Sequence, residues 1–172
     1  GKYKLSGCTF EIMPDRIEIG TFVLAVLGCS GKINLRFADN LIKENLKKIF
    51  GFTKSLKIMD KNNGVEVVSN FGEYNGVDLK TKPYPGFPTD LQAQLSAVMT
   101  KAKGSSTIEE TIFENRFMHI AELLRMGAKI NVDGSKVKII GKKKLHGAEV
   151  MATDLRASSC LIIAGLMAEG KT

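Results

Sequence analysis

Phe22-Val23-Leu24-Ala25-Val26-Leu27 and Leu161-Ile162-Ile163-Ala164-Gly165-Leu166-Met167 are two stretches without a charged or polar side chain, each about two helical turns long. A helix that is apolar on every side has to be buried on every side. Asp15 precedes the first stretch and Asp154 the second, and an aspartate there can accept hydrogen bonds from the free N–H groups of a first helical turn. A glycine follows each segment, which is a common way for a helix to end. The sequence therefore predicts two capped, completely buried helices.

These helices belong to a repeat with a period of about 70 residues. The opening of the chain, residues 1–8, recurs at residues 141–148, two periods later. Two turn signals, Asn63-Gly64 and Asp133-Gly134, lie one period apart between apolar runs. Asn-Gly and Asp-Gly supply the positive φ angles of a type I′ turn, so each predicts a β-hairpin. The repeat predicts three units, at residues 1–70, 71–140 and 141–172.

Each unit reads as strand, buried helix, strand, second helix and hairpin. We expect strands at residues 10–13, 32–37, 77–80, 106–112 and 149–151, and helices at 16–30, 91–103, 115–126 and 155–169. The sequence thus predicts an α/β fold of βαβαββ units, an inside-out barrel lobe with buried helices and outer sheets. Residues 1–172 then form a single truncated lobe whose third unit is short by about 40 residues. We expect its last helix to expose apolar surface and to favour self-association.

Composition excludes several classes of protein. Hydrophobic residues make up 44% of the chain, which is too apolar for a disordered protein. The longest apolar run is far shorter than a membrane helix, and the start of the chain shows no signal-peptide pattern, so we expect a cytoplasmic protein without a membrane partner. Three cysteines without a C-x-x-C pair argue against a disulfide framework or a structural zinc site. The net charge of +7 comes from scattered lysines, which favours a solvated surface over a nucleic-acid interface.

Four blocks of the sequence carry a resemblance to one enzyme family. They are Met13-Pro14-Asp15-Arg16-Ile17-Glu18, Pro85-Gly86-Phe87-Pro88-Thr89-Asp90-Leu91-Gln92-Ala93-Gln94, Glu110-Thr111-Ile112-Phe113-Glu114-Asn115-Arg116-Phe117-Met118-His119 and Met151-Ala152-Thr153-Asp154-Leu155-Arg156-Ala157-Ser158. These blocks closely resemble the UDP-N-acetylglucosamine enolpyruvyltransferases (1-carboxyvinyltransferases), and the similarity runs in register over nearly all of the chain. The resemblance implies two inside-out α/β lobes with the active site in the cleft between them, of which this chain is most of one.

The resemblance also implies a reaction. The family transfers the enolpyruvyl group of phosphoenolpyruvate to the 3′-hydroxyl of UDP-N-acetylglucosamine and releases phosphate. This is the first committed step of peptidoglycan synthesis, and so of cell-wall biogenesis, cell shape and cell division. Such a reaction needs a base near the sugar hydroxyl, a proton donor and acceptor near the reacting carbon, and cations for phosphate and carboxylate. The implied partners are these two substrates, with no cofactor and no metal.

Asp90 matches the aspartate that lies beside the sugar hydroxyl in the family, a proposed general base that also binds the UDP-sugar. The residue pattern alone favours a helix N-cap, because Asp90 heads a predicted helix as Asp15 does. Thr89-Asp90-Leu91-Gln92 also reads as a capping box. The two roles are compatible, since a helix N-terminus stabilises an ionised carboxylate.

Asp154 and Arg156 match a catalytic pair near the enolpyruvyl carbon, implicated in proton handling and cleft closure. An arginine beside free helix N–H groups would make an anion site. The alternative is a plain N-cap at Asp154 with a solvent-facing arginine.

Ile112 and Phe113 match positions that contact the UDP-sugar, Ile112 through its backbone, and Arg116, at the start of an amphipathic helix, matches a substrate-binding arginine of the cleft. The alternatives are strand-end packing for Ile112 and Phe113 and a surface position for Arg116. Asp15 and Arg16 also match the family, but there we expect a structural salt bridge at a hinge between lobes.

Other parts of the family's site fall outside this chain, including the loop cysteine or aspartate that engages phosphoenolpyruvate. We therefore expect the 172-residue chain alone to be inactive. His119 lies in a predicted helix and is expected to be structural. Two other functions stay open: a sister enolpyruvyltransferase of the shikimate pathway, against which residues 113–117 argue, and a non-enzymatic, repeat-built binding module.

Overall fold

The computed structural model describes residues 4–37, 39–69, 74–142 and 144–172. The helices in these ranges are α1 (Arg16–Cys29), α2 (Asn40–Ile49), α3 (Gln92–Met99), α4 (His119–Arg125) and α5 (Leu155–Met167). The strands are β1 (Gly31–Arg36), β2 (Leu56–Lys61), β3 (Gly64–Ser69), β4 (Asp78–Lys80), β5 (Ser105–Glu109), β6 (Lys129–Asp133) and β7 (Lys136–Ile140). A 3-10 turn, Thr89–Leu91, leads directly into α3. Across the described ranges, no helix combines the length and the apolarity that a membrane span requires.

The strands form two sheets. The first has the order β1-β3-β2 with antiparallel pairs, and β2 and β3 form the hairpin predicted at Asn63-Gly64. The second has the order β4-β5-β7-β6, in which β4 and β5 are parallel, and β6 and β7 form the hairpin predicted at Asp133-Gly134. A Cβ atom at residue 64 would collide with the carbonyl group of Leu35 on β1, so the close approach of these strands requires glycine there. The segment from β4 to β7 thus runs β-α-β-α-β-β.

Helix α3 lies at the centre of the molecule. All eight of its residues are buried, and it packs against α1, α5, β5 and β7. Helices α1 and α5 also contact each other, so the three form an inner layer with the sheets outside. The polar groups of α3 are partly satisfied within the helix, as where the Ser96 hydroxyl donates to the Gln92 carbonyl at 3.0 Å. This is the inside-out α/β arrangement that the sequence predicts.

The two predicted N-caps on the apolar helices are confirmed. Oδ1 of Asp15 accepts hydrogen bonds from two first-turn amides of α1, at 2.8 and 3.3 Å. Oδ1 of Asp154 does the same at α5, at 2.8 and 3.0 Å. Each carboxylate thereby satisfies N–H groups that lack a partner within the helix.

The prediction that α1 and α5 are buried on every side is wrong. Phe22 of α1 is 45% exposed, and Ile162 and Leu166 of α5 are 65% and 67% exposed. An apolar helix is buried only where another element covers it, and α5 is covered on the side that faces α1, α3 and α4. The exposed side of α5 is the apolar surface expected from the repeat. Only the central helix, α3, is buried all round among the described helices.

Two predicted strands do not form. Residues 10–13 and 149–151 lack a strand partner among the described residues, and Phe10, Ile12 and Met151 are exposed. A strand needs a neighbour for its backbone hydrogen bonds, and a short alternation of polar and apolar residues does not supply one.

Three predicted elements begin or end three or more residues from their predicted bounds. Strand β5 stops at Glu109, because the next residue, Glu110, turns the chain by accepting hydrogen bonds from the amides that follow it. Helix α4 begins at His119 and not at residue 115, since Asn115 has a φ of 55°, in the left-handed region outside a helix. Helix α3 ends four residues earlier than predicted.

Burial predicts a large difference between two leucines on the inner helices. Leu95→Ala on α3 removes a completely buried side chain and should lower the free energy of unfolding by about 2 to 5 kcal/mol. Leu166→Ala on the exposed side of α5 should change it by less than about 0.5 kcal/mol. Urea unfolding of both variants measures the difference. Equal losses would contradict the central position of α3.

Candidate active site

Asp90 does not cap a helix, and this prediction from the residue pattern is wrong. Asp90 lies inside the 3-10 turn, and neither the turn nor α3 has a side-chain cap. The capping box read at residues 89–92 is likewise absent. The carboxylate of Asp90 turns instead toward two arginines: its Oδ1 lies 2.7 Å from Nε of Arg156 and 3.3 Å from Nη2 of Arg116. The backbone amides of the 3-10 turn and of α3 do not donate to the Asp90 carboxylate. This carboxylate can therefore face the space between the turn and the arginines.

Arg116 is held from three sides. Its Nη1 donates to the hydroxyl of Thr89 at 2.5 Å, its Nη2 pairs with Asp90, and its guanidinium carbon lies 4.3 Å from the centre of the Phe113 ring. The side chain is only 17% exposed. The prediction that Arg116 opens a helix is wrong, because α4 begins three residues later. A guanidinium fixed in this way is pre-organised to bind a planar or anionic group.

Asp154 is the N-cap of α5 and Arg156 lies in the first turn of this helix, and the two have different roles. The N–H group of Ala157, with a smaller contribution from that of Arg156, lowers the pKa of Asp154 below its ordinary value. Asp154 therefore acts as an N-cap whose oxygen is already engaged. Arg156 leaves the same turn to reach Asp90, so it is not the solvent-facing arginine of the alternative reading.

A cavity of about 610 Å³ lies where the first turns of α1 and α5 meet the start of α3. Asp90, Arg156 and Gln94 line it, together with Thr21 and Phe22 of α1. Gln94 is 2% exposed; its amide nitrogen donates to the Thr21 hydroxyl at 3.1 Å, and its Oε1 has no hydrogen-bond partner among the described residues. A buried acceptor without a partner costs free energy unless a ligand or water supplies a donor.

Ile112 and Phe113 form the edge of a second cavity of about 380 Å³. Their backbone amides donate to one oxygen of Glu110, at 2.8 and 3.3 Å. Phe113 is 54% exposed, and its ring contacts Arg116. The ring therefore lies at the second cavity and against Arg116, and strand-end packing does not describe it.

The charges at this place are mixed: two arginines surround Asp90, and acidic side chains line the neighbouring cavity. One carboxylate, Asp90, lies between two guanidinium groups, which leaves positive charge in excess around it. Asp15 and Glu18 at the start of α1 are two further carboxylates at the cavity wall, and Arg156 is the arginine among the residues that line it. Within the described ranges, no group of three or more potential metal-ligating side chains comes together.

The cysteines do not contribute a nucleophile to this site. Burial raises the pKa of Cys160 and of Cys29, which disfavours the reactive thiolate. Cys8 is exposed and lies outside the residues that line the cavity.

His119 is buried at the start of α4, and its Nε2 has no hydrogen-bond partner within the part of the chain that the structure describes. Burial lowers the pKa of His119 to about 4, and the nearby Asp154 carboxylate opposes this shift in part. A neutral buried histidine agrees with the structural role predicted from the sequence.

The structure brings together Asp90, Arg116, Arg156 and Phe113, all of which were predicted as site residues. Asp154 is the N-cap of the helix that carries Arg156. The guanidinium carbon of Arg16 lies 5.0 Å from the centre of the Tyr84 ring. Sequence reasoning missed Thr89, Glu110 and Gln94. All three lie inside the quoted blocks, but nothing in a single sequence tells a buried polar side chain from a surface one.

Comparison with known families gives a match along the whole chain. The sequence profile of the family EPSP synthase (3-phosphoshikimate 1-carboxyvinyltransferase) matches residues 1–172. The chain is 49% identical to the UDP-N-acetylglucosamine 1-carboxyvinyltransferases of Paramagnetospirillum magneticum, over 172 residues, and of Sinorhizobium medicae, over 173 residues. In both cases the match covers 100% of this chain and 40% of the relative. The chain thus spans about two fifths of the length of these curated relatives.

Two solved structures share the fold. The enolpyruvyl transferase NikO from Streptomyces tendae superposes with a TM-score of 0.78 at 22% sequence identity, covering 91% of this chain and 37% of that protein. The EPSP synthase from Acinetobacter baumannii superposes with a TM-score of 0.62 at 20% identity, covering 94% of this chain and 38% of that protein. At this identity the likeness establishes the fold alone, and it agrees with the inside-out lobe described above.

The cap at Asp154 predicts a contrast between two substitutions. Asp154→Ala removes the acceptor for two amides of α5 and should lower the free energy of unfolding by about 1 kcal/mol. Asp154→Asn keeps an acceptor oxygen and should cost clearly less, because asparagine is also a good N-cap. Urea unfolding at neutral pH compares the two. Equal losses would contradict the interpretation of Asp154 as a hydrogen-bonding cap.

Burial of His119 predicts that stability depends on pH. In the unfolded chain the imidazole takes a proton near pH 6.5, whereas in the folded protein it does so only near pH 4. The unfolded state therefore binds more protons in between, and the free energy of unfolding should fall by about 2 to 3 kcal/mol as the pH is lowered from 6.5 to 4.5. His119→Gln should flatten this slope, and the exposed His146→Gln should keep it. Denaturant unfolding across this range tests the assignment, and a slope that survives His119→Gln would refute it.

Proposed function

The chain belongs to the EPSP synthase (3-phosphoshikimate 1-carboxyvinyltransferase) family, and from this premise we propose that it forms the acceptor-binding wall of a UDP-N-acetylglucosamine enolpyruvyltransferase. Its relatives at 49% identity carry the name UDP-N-acetylglucosamine 1-carboxyvinyltransferase, which supports this acceptor over shikimate 3-phosphate. The pathway served is then peptidoglycan synthesis in the cytoplasm, and through it cell-wall biogenesis, cell shape and cell division.

The position of Asp90 carries the proposal. A residue that the pattern alone would make a helix cap is kept free of the backbone and held between Arg156 and Arg116, beside a cavity large enough for a ligand. Both contacts involve Oδ1, so Oδ2 is the oxygen that would accept the proton of the sugar hydroxyl. Geometry of this kind suits a general base, which has to lie within hydrogen-bond distance of the proton it removes.

The reaction assigns separate parts to the surrounding residues. The hydroxyl oxygen of the sugar bonds to C2 of phosphoenolpyruvate while its proton passes to Asp90 and C3 gains a proton. The C2–O bond to phosphate then breaks, C3 loses a proton, and phosphate leaves with the bonding electron pair. Arg156 and Arg116 orient Asp90 and balance the negative charge of the substrates, and Phe113 with the Ile112 backbone binds the UDP-sugar.

Asp154 takes part in this proposal through α5. As the cap, it fixes the first turn of the helix and with it the position of Arg156. The catalytic role in proton handling implied by the family resemblance would have to coexist with its two amide hydrogen bonds.

Because the chain spans 40% of its relatives, the complete reaction is proposed for an assembly that also contains the remaining part of such an enzyme. The isolated 172-residue chain should bind the nucleotide sugar weakly and release no phosphate from phosphoenolpyruvate.

Titration of the ¹⁵N-labelled chain tests the substrate class. UDP-N-acetylglucosamine at millimolar concentration should shift the amide resonances of residues 89–92, 112–116 and 154–157. Shikimate 3-phosphate and an oligonucleotide at the same concentration should leave them in place. Asp90→Asn should weaken the UDP-N-acetylglucosamine interaction about tenfold, and the exposed Asp133→Asn should not change it.

Three outcomes of the titration would contradict the proposal. A larger response to shikimate 3-phosphate would assign the chain to the sister reaction, and a larger response to the oligonucleotide would favour a non-enzymatic binding module. An unchanged affinity in Asp90→Asn would remove Asp90 from the site. For turnover, joining this chain to the remaining part of the Paramagnetospirillum magneticum relative should restore phosphate release, and Asp90→Asn should reduce the rate by a factor of about 100 or more.

A further inference from the structure

Glu110 is the one carboxylate among the described residues that is both almost completely buried and bonded to several parts of the candidate site; it is 3% exposed. It lies directly after β5, at the point where the chain leaves the sheet. A buried carboxylate is costly unless its oxygens accept hydrogen bonds, so its partners determine what it does.

The two oxygens of Glu110 have separate partners. Oε1 accepts hydrogen bonds from the amides of Ile112 and Phe113, at 2.8 and 3.3 Å, and from the hydroxyl of Thr81, at 2.9 Å. Oε2 accepts from the hydroxyl of Thr89 at 2.8 Å. One side of the carboxylate therefore fixes the backbone at the second cavity, and the other fixes the turn that carries Asp90.

The Thr89 hydroxyl extends the network to an arginine. It donates its single proton to Glu110, and it accepts from Nη1 of Arg116 at 2.5 Å. Because the hydroxyl proton of Thr89 points to Glu110, a lone pair of the hydroxyl oxygen remains to accept the hydrogen bond from Arg116. The carboxylate thus sets the orientation of a guanidinium that it does not touch.

We propose that Glu110 is the positioning residue of this site, which holds the UDP-sugar-binding backbone at Ile112 and Phe113 in register with Arg116 and Asp90. The inference rests on the proposed function for the identity of the ligand. Glu110 touches neither substrate nor reacting atoms in this proposal, and it acts through Thr89 and the two amides.

Glu110→Gln tests the two sides of the carboxylate separately. The carbonyl oxygen of a glutamine can replace Oε1 and keep the backbone amides, but its NH₂ group then faces the Thr89 hydroxyl. That hydroxyl would lose its acceptor and receive donors from two sides, so Arg116 should reorient. Thr89→Val removes the same relay and leaves Oε1 untouched.

The matched control is Glu109→Gln on the preceding residue. The side chain of Glu109 forms ion pairs with Lys80 and Lys136, and its backbone carbonyl accepts from the amide of Thr81, a bond that glutamine keeps. All variants are measured in the 172-residue chain by ¹⁵N NMR, through the Arg116 Nε–Hε resonance without ligand and through the dissociation constant for UDP-N-acetylglucosamine. Thermal unfolding is recorded in parallel, since a purely structural role would change stability without changing the Arg116 resonance.

In Glu110→Gln and Thr89→Val the Arg116 resonance should move, and the dissociation constant should rise about tenfold. The Ile112 and Phe113 amides should keep their positions, and Glu109→Gln should behave as the wild type in every readout. Unchanged Arg116 resonances, or dissociation constants within about twofold of the wild type in both variants, would overturn the proposal.

Two further outcomes of these measurements also have a defined interpretation. If Glu110→Gln fails to fold, Thr89→Val decides by the same criteria. If the wild-type chain binds no UDP-N-acetylglucosamine, the proposed function fails for this chain, whereas the ligand-free Arg116 resonance still supports or overturns the positioning role.

Discussion

The close packing of α3 between α1 and α5 is the constraint on which the rest of the molecule depends. Because all eight residues of α3 are buried, the two sheets have to lie outside the helices. The packing also brings the first turns of α1 and α5 beside the start of α3, where the cavity with Asp90 and Arg156 lies. An Arg156–Asp90 distance of 2.7 Å between α5 and the turn before α3 is a consequence of this helix contact. The packing of the core helices therefore determines the position of the candidate site.

Three aspartates in similar sequence positions have different hydrogen-bond partners and therefore different roles. Asp15 and Asp154 give their oxygens to the amides of the helices they precede. Asp90 precedes α3 through a 3-10 turn, and its oxygen goes to two arginines. The buried Glu110 stabilises the same turn through Thr89, which is the first residue of the 3-10 turn. A carboxylate freed from capping can then serve a ligand.

Much of the fold could be predicted from the sequence. Apolar runs, aspartate caps and Asn-Gly and Asp-Gly turns gave α1, α5 and both hairpins, because each of these is a local signal. Some failures concern tertiary partners: the run at residues 10–13 finds no strand to pair with among the described residues, and Ile162 and Leu166 are apolar but uncovered. Others are local, since the conformation of Asn115 and the turn at Glu110 set the ends of α4 and β5. At the site, the family resemblance selected Asp90, Arg116 and Arg156, whereas the residue pattern alone favoured a cap at Asp90. The role of Glu110 could not be predicted, since its four donors come from segments 2 to 29 residues away.

The most direct test of this account is a crystal structure of the protein with UDP-N-acetylglucosamine. The account predicts that the 3′-hydroxyl of the sugar lies within about 2.6 to 3.2 Å of Asp90 Oδ2, with Arg156 still bound to Oδ1. A nucleotide sugar bound away from Asp90, or an Asp90 carboxylate that has turned to the amides of α3, would contradict it.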